Sequence, residues 1–106
     1  MKILLAEDEK ITRKSLTDIL ITERYEVTNF GDGNEAFEAL KKYEYDVIIT
    51  DLRLPGMTGI EILRNAKEIN PKGIVIIITA YASVETAVEA LKLGAYDYLL
   101  KPFSPE

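Results

Sequence analysis

The chain has 106 residues, 47% of them hydrophobic, with neither cysteine nor histidine. That composition suits one compact domain and excludes disulfides, thiol catalysis, the usual zinc ligand and general base, and a phosphohistidine of the chain's own. Thirteen Lys and Arg stand against 18 Asp and Glu for a net charge of −5, so nothing suggests a protein that holds a nucleic-acid backbone by counterion release.

Along the chain, β-rich runs alternate with segments of helical period. Lys2 to Ala6 reads as the first strand, and the acidic trio Glu7-Asp8-Glu9 follows it at once. Leu16, Ile19 and Leu20 mark a first helix, and Tyr25 to Phe30 a second strand. Ala36, Phe37, Leu40 and Tyr43 mark the next helix, with Asp32 and Glu35 at capping-box spacing. Asp46 to Thr50 is a third strand, ended by the lone Asp51. Thr58 and Glu61 then cap a helix marked by Ile60, Leu63 and Ala66. Gly73 to Thr79 is the fourth strand, Ser83 caps a helix marked by Val84, Ala87, Val88 and Leu91, Gly94 closes it, and Tyr96 to Leu100 is the fifth strand.

Nearly continuous Ile/Val runs such as Ile74 to Ile78 predict a parallel sheet covered on both faces, a doubly wound α/β fold. Right-handed crossovers put every strand's carboxyl end on one edge, where such folds bind ligands. After the fifth strand comes Lys101-Pro102-Phe103-Ser104-Pro105-Glu106, where Phe103 or Ser104 is placed to open another helix. One face is therefore expected to be covered by the first helix alone. The expectation is a chain cut before or within its last helix, or a surface buried against another chain.

Glu7, Asp8, Asp51, Thr79 and Lys101 all fall at that edge. Carboxylates suit a hard cation such as Mg²⁺, an aspartate can form an acyl phosphate, a threonine hydroxyl can donate to a phosphoryl oxygen, and lysine supplies a point charge. Each residue alone is unremarkable: the acidic trio reads equally as a solvated turn, Asp51 as an N-cap or turn aspartate, Thr79 as a strand-end threonine and Lys101 as a solvated lysine. Their joint spacing is what favours chemistry.

The runs Leu5-Ala6-Glu7-Asp8-Glu9, Thr50-Asp51-Leu52-Arg53-Leu54-Pro55-Gly56-Met57-Thr58-Gly59, Ile78-Thr79-Ala80-Tyr81 and Asp97-Tyr98-Leu99-Leu100-Lys101-Pro102-Phe103 resemble the receiver domain of bacterial two-component response regulators over essentially the whole chain, 1–106. From Tyr81 to Phe103 the likeness is greatest to receivers of the nitrogen-regulation type. The resemblance implies a flavodoxin-like five-stranded sheet of order 2-1-3-4-5, and a phosphoacceptor rather than an enzyme with an outside substrate.

It also implies that Asp51 takes a phosphoryl group from a sensor histidine kinase. Asp8, Asp51 and the backbone carbonyl of Arg53 would hold Mg²⁺, with Glu7 acting through a metal-bound water. Many family members carry aspartate at the Glu7 position. Lys101 would pair first with Asp51 and then with the phosphoryl group, Thr79 would swing towards it, and Tyr98 would turn inward as a switch. Lys101-Pro102 is expected to be cis. An output domain, attached or separate, would read the surface of the fourth helix and fifth strand, with a homodimer as one form of output. The domain itself would contact neither nucleic acid nor membrane, and a cytoplasmic location is expected: no apolar run approaches ~18 residues, and Met1-Lys2 enters a strand without a signal-peptide pattern.

Arg53 and Tyr81, two residues past Asp51 and Thr79, are expected to shield the acyl phosphate from water. Two other readings compete. A haloacid-dehalogenase-like phosphotransferase also uses an aspartyl phosphate, but there a second acidic residue stands where this chain has Arg53. A flavodoxin-like FMN binder would need N–H groups and hydroxyls where this chain has its acidic trio.

Overall fold

The computed structural model describes residues 1–101. The Lys101-Pro102 peptide and the helix expected to open at Phe103 or Ser104 lie outside the described residues. The elements run β1 (Lys2–Ala6), α1 (Lys10–Thr22), β2 (Glu26–Phe30), α2 (Gly33–Lys42), β3 (Val47–Asp51), α3 (Gly59–Ile69), β4 (Ile74–Thr79), α4 (Val84–Lys92) and β5 (Asp97–Leu100). The strands form one parallel sheet of order β2-β1-β3-β4-β5.

That order decides which face each helix covers. The chain steps one way from β1 to β2 and the other way in every later crossover, so with right-handed connections α1 lies on one face and α2, α3 and α4 on the other. The three-helix face holds the core: Leu4 and Ala6 of β1, Ile48 of β3 and Val75 and Ile77 of β4 pack with Ala36, Leu40, Ile62, Leu63, Ala66 and Ala90. Each fully buried Leu or Ile here contributes about 1.5–3 kcal/mol.

The opposite face buries Ile3 and Leu5, while Ile74 and Leu99 remain 37% and 38% exposed and Ile19 of α1 is 59% exposed. Among the described residues, this face has one helix for five strands, as the sequence led us to expect.

Helix ends follow local chemistry. Thr58 and Glu61 form a reciprocal capping box on α3, Asp32 accepts from Asn34 and Glu35 N–H on α2, and Ser83 accepts from Thr86 N–H on α4. Gly94, at φ 97°, makes the left-handed turn out of α4 that a side chain would resist. Four strands begin one residue later than their sequence pattern suggests; before two of them, β3 and β5, the Asp46 and Tyr96 N–H groups nonetheless already donate across the sheet, to the carbonyls of Lys2 (2.8 Å) and Val75 (2.7 Å).

Candidate functional site

The carboxyl edge of the sheet gathers Glu7, Asp8, Asp51, Thr79 and Lys101. Glu7 directly follows β1, and its N–H donates to the Phe30 carbonyl (2.9 Å), which carries the β1–β2 pairing one residue past the strand. This turns the Glu7 side chain inward, where it is fully buried. Its carboxylate accepts from Lys101 Nζ and from the Glu9 N–H (3.0 Å).

Asp51 ends β3 and is 6% exposed; it accepts from Lys101 Nζ at 2.7 Å and from the Arg53 N–H at 3.2 Å. Lys101 is brought in by the last step of the β4–β5 ladder, where its N–H donates to the Thr79 carbonyl (2.7 Å). One ammonium thus bridges two carboxylates that lie 94 and 50 residues away in the chain.

Asp8 is exposed, yet one carboxylate oxygen from each of Glu7, Asp8 and Asp51 falls within 4.8 Å of the others. Three carboxylates against one lysine leave a net negative cluster that a divalent cation would offset, and an all-oxygen donor set fits a hard ion. The trio can therefore hold a metal.

Burial pushes the Glu7 carboxyl above its ordinary range; the Lys101 bond and the Glu9 N–H oppose this, while the Asp51 charge adds to it. Burial pulls the Lys101 ammonium down, but its bonds to Asp51 and Glu7 outweigh that and raise it overall. The lysine charge is thus secured by the same carboxylates that it bridges.

Thr79 is fully buried, and its hydroxyl accepts from the Tyr81 N–H (2.9 Å). The guanidinium of Arg53 lies 3.9 Å from the centroid of the Tyr81 ring, so the two residues expected to flank the site form a cation–π pair between the loops after β3 and β4. Tyr98 stands apart from the acidic cluster. It is partly buried against the core, and its phenol lies 2.7 Å from the Thr86 hydroxyl on α4.

Sequence reasoning missed three residues near this edge. Thr86 holds Tyr98, and Arg13, from the first turn of α1, donates to the Glu7 carbonyl (2.9 Å) while lying against Gly31. The available signals were a basic residue five positions past an acidic pair, and a glycine directly after the strand next to β1.

Comparison with known proteins agrees with this geometry. The response regulator receiver domain family matches residues 3–106. The regulatory protein AtoC of Escherichia coli strain K12 is 38% identical over 102 residues, which are 96% of this chain and 22% of that protein. The chain thus spans about a fifth of that relative's length. Among solved structures, the beryllofluoride-activated NtrC4 receiver domain dimer is similar with a TM-score of 0.90 and 38% identity, covering 97% of this chain and 85% of that one. A response regulator protein from Burkholderia pseudomallei, with a phosphorylated aspartic acid and a calcium ion, is similar with a TM-score of 0.90 and 28% identity, covering 97% of this chain and 61% of that one. Neither the dehalogenase nor the FMN reading gains support, and Arg53 gives the site no second acidic residue at that position. The fold, the carboxylate cluster beside Lys101 and the family match over nearly the whole chain lead to one conclusion: this chain belongs to the response regulator receiver domain family.

Proposed function

We propose that Asp51 is the phosphoacceptor of this receiver domain, that Mg²⁺ is its metal, and that a sensor histidine kinase is the donor. The observation that carries this reading is the position of Lys101, bonded at once to Asp51 and to the buried Glu7 beside Asp8. In the transfer, an Asp51 carboxylate oxygen forms the new P–O bond as the P–N bond of a phosphoimidazole breaks and the imidazole recovers its electron pair. These 106 residues contain no histidine, so that imidazole lies outside this domain.

Asp8, Asp51 and the Arg53 carbonyl would hold Mg²⁺, with Glu7 acting through a bound water. When bound, the ion supplies the positive charge that lets a phosphoryl group approach three carboxylates. Lys101 holds Asp51 in place beforehand and follows the new phosphoryl oxygens afterwards. Thr79 leaves the Tyr81 N–H to donate to one of those oxygens, and Tyr98 turns inward. Phosphorylation thereby shifts the population of α4 and β5 arrangements that an output domain, or a second copy, reads. No helix among the described residues is long and apolar enough to cross a membrane. The cytoplasm is the location in which this reading has a sensor kinase and an output domain both reach the site.

The test is labelling by acetyl phosphate, followed by intact mass. The wild type is expected to gain one phosphoryl group with Mg²⁺ and none with chelator, and Asp51→Asn none in either case. Labelling of Asp51→Asn at the wild-type rate would overturn the assignment.

A further inference from the structure

Asp8 is the exposed member of the carboxylate trio. Its place is set by the backbone on either side. Towards β1 that backbone is fixed by the Glu7 N–H on the Phe30 carbonyl (2.9 Å). Towards α1 it is fixed by Arg13, whose Nη1 lies 2.9 Å from the Glu7 carbonyl oxygen and 3.4 Å from that of Asp8. One guanidinium N–H group thus spans two successive carbonyls, and the carboxylate that must meet the cation hangs between them.

Gly31 makes room for this contact. A Cβ there would stand 2.6 Å from Arg13 Nη1, 3.4 Å from Cζ and 3.9 Å from Nη2, so its three nearest neighbours all belong to that one side chain. Gly31 does not adopt a positive φ, so what the site requires is the missing Cβ and not glycine's backbone freedom.

We propose that Arg13, seated in the notch left by Gly31, is a positioning residue for the metal loop: it holds the Glu7 and Asp8 carbonyls so that the Asp8 carboxylate stays within reach of Glu7 and Asp51. The proposal rests on the Mg²⁺ reading above. A charge effect and a positioning effect have opposite signs here. If Arg13 acted only as a nearby cation, its removal would tighten Mg²⁺ binding, because like charges repel. If it positions the loop, its removal weakens binding, as loss of a supporting partner around a metal site typically does, by about 10–100-fold.

Titration of the unphosphorylated protein with Mg²⁺ alone, followed by calorimetry and by amide shifts of the loop after β1, separates these. Arg13→Gln and Gly31→Ala are each expected to raise the Mg²⁺ Kd by about tenfold. The double variant is expected to be no weaker than either single one, since both changes remove the same contact. Gly31→Ala keeps the positive charge and displaces only the flexible end of Arg13, so it tests position without neutralisation. A merely structural role would lower Tm and leave the Kd of the folded molecules unmoved. Unchanged or tighter binding in the two folded variants, or additive losses in the double variant, would overturn the proposal. A wild type that takes up no Mg²⁺ would instead overturn the metal reading beneath it.

Discussion

The phenol of Tyr98 and the hydroxyl of Thr86 lie 2.7 Å apart, so the side chain expected to switch is tied to α4 by a single hydrogen bond between two half-buried groups. Thr86→Val and Tyr98→Phe are each expected to cost about 0.5–1.5 kcal/mol in urea unfolding, and together little more than either alone. If Tyr98 leaves Thr86 on activation, that coupling disappears when the same cycle is measured with beryllofluoride and Mg²⁺ present. Equal coupling in both states would mean that Tyr98 stays where it is.

Glu7 gives the metal-free domain an unusual pH dependence. Its folded-state pKa is raised from 4.5, chiefly by burial. Its favourable contribution is therefore full below 4.5 and is lost as pH rises through the raised folded value, opposite to the usual salt-bridged carboxylate. Glu7→Gln is accordingly expected to raise Tm at pH 7 in chelator, by about 4–8 °C for each kcal/mol gained. That advantage should shrink as the pH falls towards 4.5, and thermal melts across that range will reveal it. A lower Tm for Glu7→Gln at pH 7 would mean that the Lys101 bond outweighs the cost of burying the charge.

The stack of Arg53 on Tyr81 closes the gap between two loops beside Asp51. With a cation–π contribution of about 0.5–1 kcal/mol at an exposed pair, Tyr81→Ala is expected to shorten the half-life of the acyl phosphate roughly two- to fivefold. Phosphate release from the isolated, prephosphorylated domain measures this. An unchanged half-life would end the shielding idea.

Gly59 opens α3 against the back of the site, where a Cβ would stand 2.2 Å from the Asp51 carbonyl oxygen and 2.8 Å from Leu52 Cα. Alanine in a helix is ordinarily better than glycine by about 1 kcal/mol. Gly59→Ala is expected to do the reverse, losing about 1–3 kcal/mol and slowing acetyl phosphate labelling because Asp51 must move. Denaturant titration and labelling rates should change together; a stabilised variant would contradict the geometry.

Much of this was legible before the fold was in hand. Ile/Val runs located the strands to within a residue, because a strand buried on both faces must be apolar throughout, and Thr58, Asp32 and Ser83 each named a helix start by the chemistry of orphan N–H groups. Side-chain burial at the site was not legible. Glu7 and Asp8 are adjacent acidic residues, yet the Phe30 bond turns one inward and leaves the other in solvent. The bond from Arg13 to the Glu7 carbonyl was equally hidden, since it fits beside a missing Cβ at Gly31, 18 residues further along and just past the end of β2, which only the sheet order brings alongside β1.

The Lys101–Glu7 bond also bears on how the domain comes into being. Glu7 leaves the ribosome 94 residues ahead of Lys101, at roughly 5–20 residues per second. For those seconds the nascent acidic pocket has no lysine to balance it, and a growing chain that had already paired β1 with β3 would still be unable to present a finished acceptor to a kinase. On the proposed reading of the site, competence to receive a signal is expected to arrive in one step, with β5 and the lysine that follows it, so half-made copies should be silent and not wrongly switched on.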